Sequence, residues 1–421
     1  MTDFALQPRP ALPAPEEGRP AGATTGPVSG HAPGLVALVP RARRSRGAPR
    51  ARRLALDWAP PLLLYVVACA LQLGLLALLR QPGSPALGRL LLGWDARLFL
   101  DVAQYGYPAP GAPRDLSGAW LGSNLAFFPL FPAAVRLVHL VTGASSGDAA
   151  LAVSRVAGAV AAVLLYRLFG RLYDRRTGLF MVLLTVAQPM AVVLGMGYSE
   201  AVFLACAAGA LLAAHRGSWA AAAVCGVLAG LTCPSGLAVG VAIGFGAVLT
   251  VRQGRSWVGP LLATVAACSA MPGYLLWVGL RTGRADGWFR IQQAGWGTAL
   301  DWGAHSWDYV TDQMTGGTGW ADVSIALLVL AALGGSVLAL LWRPWPPLAL
   351  YGLLVTALAI GQSNYASCKP RLLVPALLFL LPCAVALAKA RPWVAWPIAG
   401  AAMLAGSWYG AYLLAVWQAV I

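Results

Sequence analysis

Acidic residues are scarce in this chain: 15 Asp and Glu among 421 residues, beside 30 Lys and Arg. All charged residues together make 11%, where a soluble globular domain carries about 25%. That shortage excludes a soluble domain as the body of the protein. No GxxxxGK[ST] loop, no strand-linked GxGxxG and no DxD pair occurs, so a nucleotide-dependent active site has no support. The four histidines are scattered without metal-ligand spacing, and the seven cysteines form no CxxC. The pattern therefore calls for no metal site, redox centre or cofactor. Nor is there an inverted internal repeat of the kind that transporters carry.

What fills the chain instead is apolar sequence, 59% of it, with mean hydropathy +0.68. The expectation is an all-α polytopic membrane protein, with the lipid bilayer as its main surroundings. The net charge of +15 does not mark a nucleic-acid partner. The arginines gather at the ends of apolar runs, where they act as topology signals. Residues 1–53 are rich in Pro, Ala and Gly and end in RARRSRGAPRARR. That composition cannot bury a core and reads as a disordered, basic cytoplasmic tail ahead of a membrane domain at 54–421.

The first span, 58–79, then runs outward from a cytoplasmic N-terminus. Ten more spans follow at about 156–173, 178–197, 199–215, 218–232, 236–251, 257–280, 322–342, 347–361, 371–388 and 393–417. The segment 125–142 is better read as interfacial. If it does not cross, the short cytoplasmic loops hold ten basic residues: Arg167, Arg171, Arg175, Arg176, Arg216, Arg252, Arg255, Arg343, Lys389 and Arg391. The short outer loops then hold two, Lys369 and Arg371. This distribution obeys the positive-inside rule, and the opposite assignment inverts it. The result is about 11 transmembrane helices in the cell membrane, a large first outer loop at 80–155 and a second at 281–321.

The same topology collects the polar residues on one side. Asp95, Tyr198-Ser199-Glu200, Cys233-Pro234-Ser235 and Ser367-Cys368-Lys369-Pro370-Arg371 all fall at outer ends, with the tryptophan-rich loop 281–321. Carboxylates, a basic pair and aromatics on one face are the materials of a sugar or lipid-phosphate site, although interfacial Trp belts account for some of the tryptophans. Cys233 and Cys368 also fall there, where oxidation can occur and a disulfide is one possible fate.

The first outer loop contains GWDARLFLDVAQYGYP, with two aspartates. On a helical wheel at about 100° per residue, Trp94, Leu98, Phe99, Val102 and Tyr105 form an apolar arc, and Arg97, Asp101 and Gln104 the polar arc. Asp95 falls in the apolar arc and Asp101 in the polar one. Asp101 reads as a solvated surface residue. Two readings fit Asp95: a helix N-cap, with Gly106 closing the helix, or a carboxylate aimed inward for a purpose.

WDARLFLDVAQYGYP, followed by NLAFFPLFP at 124–132, resembles the first outer loop of the PIG-V family, the GPI mannosyltransferase 2 type of GT-C glycosyltransferase. GYSEAVF (197–203), LTCPSGLAV (231–239), FRIQQAGWG (289–297) and KPRLLVPALLFLLP (369–382) resemble further family segments in the expected order. The likeness covers roughly residues 58–390. It departs at Cys233-Pro234, where the family pattern has Arg-Pro. The resemblance implies a GT-C-like fold, a polyprenyl-phosphate sugar donor of mannose type, transfer on the outer face, and Asp95 as catalytic base.

With that base, an acceptor hydroxyl attacks the anomeric carbon, Asp95 takes its proton, and a single displacement inverts the sugar. The phosphate leaves as an anion and needs cations, for which Lys369, Arg371 and Arg97 are the candidates, whereas snorkelling at the interface is the plainer account of the basic pair. Trp94, Asn124, Phe127, Phe128, Tyr198, Glu200, Gln293 and Trp296 are the candidates for holding donor and acceptor. The acceptor is a glycolipid, polysaccharide or protein. The rival reading is a transporter or flippase for a lipid-linked sugar, but such proteins place ionisable groups near the bilayer midplane.

Overall fold

The computed structural model describes residues 50–317 and 319–417. They build a helical membrane protein whose only paired strands, among the described residues, are two short ones. In chain order the helices are α1 (Arg50–Leu79), α2 (Leu87–Leu91), α3 (Asp95–Tyr105), α4 (Leu130–Thr142), α5 (Ser146–Leu172) and α6 (Arg175–Val186). Then come α7 (Glu200–His215), α8 (Trp219–Gly230), α9 (Gly236–Arg252), α10 (Val258–Thr282), α11 (Gly287–Trp296) and α12 (Ala304–Gly316). The last are α13 (Trp320–Leu341), α14 (Pro346–Ile360), α15 (Lys369–Leu373), α16 (Leu381–Lys389) and α17 (Pro392–Tyr412).

Most of the segment read as an N-terminal tail lies outside the described residues. Its last residues, 50–53, are helical and open α1. Their Arg and Ala are good helix formers, and they continue directly into an apolar helix already nucleated.

Five helices are long and apolar enough to cross a bilayer by themselves: Asp57–Leu79, Ser146–Leu172, Val258–Thr282, Trp320–Leu341 and Pro392–Trp417. A further apolar pair of segments, Ala366–Ala376 and Leu378–Lys389, is bent by 73° at Leu377, as a broken span or a re-entrant loop would be. Shorter helices (α6, α7, α8, α9 and α14) lie at the remaining expected spans, and at 12–17 residues each is shorter than the hydrocarbon core of a bilayer. The expected span 178–197 is broken: α6 stops at Val186, ahead of Pro189, and the chain resumes as a 3₁₀ turn at Ala191–Gly195. Proline both lacks the N–H that would continue the helix and clashes with the preceding turn.

α5 begins at Ser146, ten residues ahead of the expected span 156–173. Ser145 caps it by accepting from Asp148 N at 3.1 Å. Ahead of α5, α4 has 13 residues, about 20 Å at 1.5 Å per residue, too short for a hydrocarbon core of about 30 Å. Its inner face buries Phe131, Pro132 and Val135, whereas Leu137, Leu140 and Val141 stay 63–76% exposed. The exposed side is thus apolar as well, which suits contact with lipid.

The 73° bend exposes backbone carbonyls that a straight helix would satisfy. In lipid such groups need partners from the protein. They have them: Gln188 Nε2 donates to Val374 O at 3.0 Å, and Tyr351 Oη donates to Pro375 O at 2.7 Å. Leu377, fully buried, holds a φ of 58°, a left-handed conformation that costs a non-glycine residue energy and persists only where its surroundings impose it.

Basic residues mark one end of the bundle. Arg175 pairs with Asp57 at 2.9 Å, and Arg176 donates to Ala390 O at 2.6 Å. These contacts tie the first turns of α1 and α6 to the end of α16. From there the chain runs through α1 towards Asp95 and through α6 towards Tyr198.

Candidate functional site

α3 carries the first aspartate into the protein. It begins at Asp95 and buries Ala96, Phe99, Val102 and Ala103. Asp95 precedes Phe99 and Val102 by four and seven residues, so it shares their face. Its side chain is 15% exposed. It is not an N-cap: the cap position is Trp94, at φ 48°, and no side chain caps the helix. Asp101 is exposed, as the wheel requires. Tyr105, counted in the apolar arc, is 81% exposed, because the helix ends there and Gly106 turns the chain away.

Phe99 fixes the position of α3. Its ring lies 4.7 Å from Phe127, 5.1 Å from Phe131 and 6.5 Å from Tyr198, each edge-on. The 124–128 turn that supplies Phe127 and Phe128 is itself pinned by side chains from elsewhere. Tyr274 Oη donates to Phe127 O at 2.7 Å, Trp288 Nε1 to Ala126 O at 3.2 Å, and Tyr107 Oη to Phe127 O at 2.7 Å. Burial pushes the Tyr107 phenol up to about 12, which keeps it a neutral donor.

The segment 281–321 crosses over this assembly. Arg284 and Arg290 both donate to Asp286 ahead of α11, and they hold its carboxyl well below the usual range. At the other end of α11, Gly295 meets Gly122 so closely that a Cβ on Gly122 would lie 2.7 Å from Gly295 Cα. The segments that hold Gly122 and Gly295 touch there through bare backbone. This contact brings the next residue, Trp296, over α3, where its Nε1 donates to Asp95 Oδ1 at 3.2 Å.

The bent pair brings the cation. Arg371, on α15, donates from Nη1 to Asp95 Oδ2 at 2.9 Å. Its Nε lies 3.3 Å from Glu200 Oε1, and its guanidinium sits 5.0 Å over the Tyr198 ring. The side chains of Asp95, Glu200 and Arg371 are 15%, 13% and 11% exposed. One guanidinium thus serves two carboxylates, with a formal charge of −1. Glu200 Oε2 is buried and accepts no hydrogen bond among the described residues.

These groups line one cavity of about 360 Å³. Its wall includes Asp95, Phe127, Phe128, Tyr198, Glu200, Trp296 and Arg371, together with Cys233 and Cys368. The polar segments that fell at separate helix ends in the sequence therefore meet in space. Neither cysteine is part of a disulfide. The apolar part of the wall comes from Phe99, Phe203, Met271, Leu358 and Leu372. No group of three or more His, Cys, Asp or Glu able to hold a metal occurs among the described residues.

Several expected site residues fall elsewhere. Lys369 is fully buried and does not line the cavity. Its Nζ donates to Gln362 O at 2.9 Å and to Asn364 Oδ1 at 3.1 Å, and lies 3.5 Å from Ala359 O. It is a cation at the C-terminal end of α14, where carbonyls lack helical partners. Arg97 is exposed, on the opposite face of α3. Trp94 and Asn124 do not reach the cavity, although both sit in the turns that present Asp95 and Phe127. Gln293 is exposed, and its neighbour Gln292 lines the cavity instead and lies 3.4 Å from Ala126 O. Gln292 follows Trp288 by four residues and so shares its inward face, a spacing visible in the sequence.

In fold, the chain is similar to the solved oligosaccharyltransferase of Archaeoglobus fulgidus in complex with Zn and sulfate. It has TM-score 0.50 and 13% identity over 84% of this chain and 53% of that one. ArnT from Cupriavidus metallidurans in the apo state is similar at TM-score 0.49 and 16% identity, over 83% of this chain and 62% of that one. ArnT bound to undecaprenyl phosphate is similar at TM-score 0.49 and 16% identity, over 87% and 70%. The chain thus spans about half to two thirds of the length of these proteins. In sequence, the family model of dolichyl-phosphate-mannose-protein mannosyltransferases matches residues 128–278. No curated protein matches the chain.

Proposed function

We propose that this protein is a membrane glycosyltransferase that moves a mannosyl residue from a polyprenyl phosphate to an acceptor hydroxyl. The observation that carries the reading is a buried carboxylate, Asp95, 2.9 Å from a buried guanidinium, Arg371, in a largely apolar cavity. A base for the incoming hydroxyl and a cation for the departing phosphate are the two groups such a transfer needs. One carboxylate suffices, because phosphate leaves as an anion without a matched acid. Direct displacement inverts the anomeric centre.

In this reading Asp95 is the general base and Arg371 binds the phosphate. Trp296, Phe127 and Phe128 flank the sugar, and Tyr198 and Glu200 orient Arg371. Lys369 and Arg97 have no part in phosphate binding. The match to a mannosyltransferase family model and the PIG-V-like motifs support mannose as the sugar. The basic residues at one end support a cytoplasmic N-terminus and chemistry on the outer face of the cell membrane. The acceptor is a glycolipid, polysaccharide or protein on that face.

The test is transfer of radiolabelled mannose from polyprenyl-phosphate-mannose in membranes, wild type against Asp95→Asn. General-base catalysis contributes about 10²–10⁴-fold, so transfer should fall by that factor at equal membrane levels. Full retention would remove Asp95 from the mechanism. Transport of the labelled lipid without any transfer would favour a flippase.

A further inference from the structure

We infer that the donor unmasks its own base: polyprenyl phosphate draws Arg371 away from Asp95, and only then can Asp95 accept a proton. The inference rests on the proposed function and concerns the regulation of the same site. It starts from the occupancy of Asp95. Both carboxylate oxygens already accept from nitrogen donors, Oδ2 from Arg371 at 2.9 Å and Oδ1 from Trp296 at 3.2 Å. Arg371 and Trp296 thus take one lone-pair site on each carboxylate oxygen, and an acceptor hydroxyl has to compete with a cation at Oδ2.

The charge balance supplies the release. Two carboxylates on one guanidinium leave the site at −1, which disfavours an incoming anion while Arg371 faces Asp95. A phosphate oxygen is a strong competitor for the guanidinium fork. Arg371 can change partners without leaving the site, because Glu200 stands 3.3 Å from Nε and the Tyr198 ring lies 5.0 Å beneath the guanidinium. Neither contact uses Nη1: one is made by Nε and the other by the face of the guanidinium. Glu200 and Tyr198 are thus positioning residues that keep the cation at the reacting centre while its bond to Asp95 is exchanged.

The transfer then runs in order. Phosphate takes Nη1 of Arg371, and Asp95 Oδ2 is freed. The acceptor oxygen forms its bond to the anomeric carbon as the carbon–oxygen bond to phosphate breaks. The acceptor proton goes to Asp95, and the bond's electron pair leaves with the phosphate. Without donor, the base stays paired and the acceptor is not activated.

The test uses the purified full-length chain in lipid nanodiscs and undecaprenyl phosphate, without sugar, as probe. Asp95→Asn removes the competitor for Arg371, so it should bind the probe about tenfold more tightly than wild type while failing to transfer sugar. A base with no hold on Arg371 would leave affinity unchanged, and a merely structural residue would lower it; either result overturns the inference. Infrared difference spectra give a second readout if Asp95→Asn does not fold. On probe binding, wild type should show a shift of a carboxylate stretching band that Asp95→Glu moves. Binding without any such band also overturns the inference, while the functional reading stands. Wild type that does not bind the probe at all overturns both.

Discussion

Replacing Arg371 by Gln tests the electrostatic core of the site directly. The substitution keeps a polar side chain of similar length and removes the charge. It leaves Asp95 and Glu200, 15% and 13% exposed, without the guanidinium that both face. Removing one partner of a buried ion pair costs about 3–5 kcal/mol, because the remaining charge stays buried without compensation. Here two carboxylates remain, so the upper part of that range applies. The sign of a second change follows. Neutralising the acids as well, with Asp95→Asn and Glu200→Gln in the Arg371→Gln background, should recover most of the loss. The coupling belongs in the range of about 0.5–3 kcal/mol seen for groups in one network. The assay is the thermal unfolding midpoint of purified protein in one detergent, read for wild type, single and triple variants at the same scan rate. The order expected is wild type, then triple, then single. A single variant as stable as wild type, or a triple variant less stable than the single, refutes the account of Arg371 as the shared counter-ion.

Three further outcomes follow from the geometry. Gly122→Ala places a Cβ 2.7 Å from Gly295 Cα, and overpacking of this kind costs about 1–3 kcal/mol. It should lower both the unfolding midpoint and transfer, since Trp296 is next to the contact; unchanged values for both would mean that the loops do not touch there. Lys369→Met removes the cation that Gln362 O and Asn364 Oδ1 accept from, a loss of about 1–3 kcal/mol for buried groups left unpaired. Transfer per folded molecule should survive it, and a selective rise in the KM for donor would return Lys369 to the phosphate site. Asp101→Asn, on the exposed face of α3, should stay within about 0.5 kcal/mol of wild type in stability and transfer normally.

The membrane class and the inward turn of Asp95 were legible because they depend on local regularities. Apolar runs of about 20 residues follow from bilayer thickness, and the 3.6-residue period alone separates Asp95 from Asp101. The reading of 125–142 as interfacial rested on where the basic residues fall. The bent pair was read as a plain span at 371–388. Pro370, Pro375 and Pro382 signal a break, but not an angle. The 73° bend depends on Gln188 and Tyr351, distant in sequence, reaching the freed carbonyls. The contact of Gly122 with Gly295 was illegible for the same reason: each glycine is unremarkable until the other loop arrives.

Lys369 and Arg371 show where a local rule was available and a chemical one misled. Read as a basic pair, they seemed to serve one anion together. Two residues apart on a helix, however, they point about 200° from each other, onto opposite faces. Only one of them can face a cavity on one side of α15. The choice between them follows from the side chains. An ammonium is a compact point charge that suits the converging carbonyls at the end of α14, whereas a planar guanidinium presents separate edges to Asp95 and Glu200 while its face rests on Tyr198. Exchanging the two residues, Lys369→Arg with Arg371→Lys, conserves charge and composition but should damage both places. The ammonium cannot span the two carboxylates, and the guanidinium is too large for the fully buried position of Lys369. A doubly exchanged chain that folds and transfers like wild type would show that charge alone, and not its shape, is what this turn supplies.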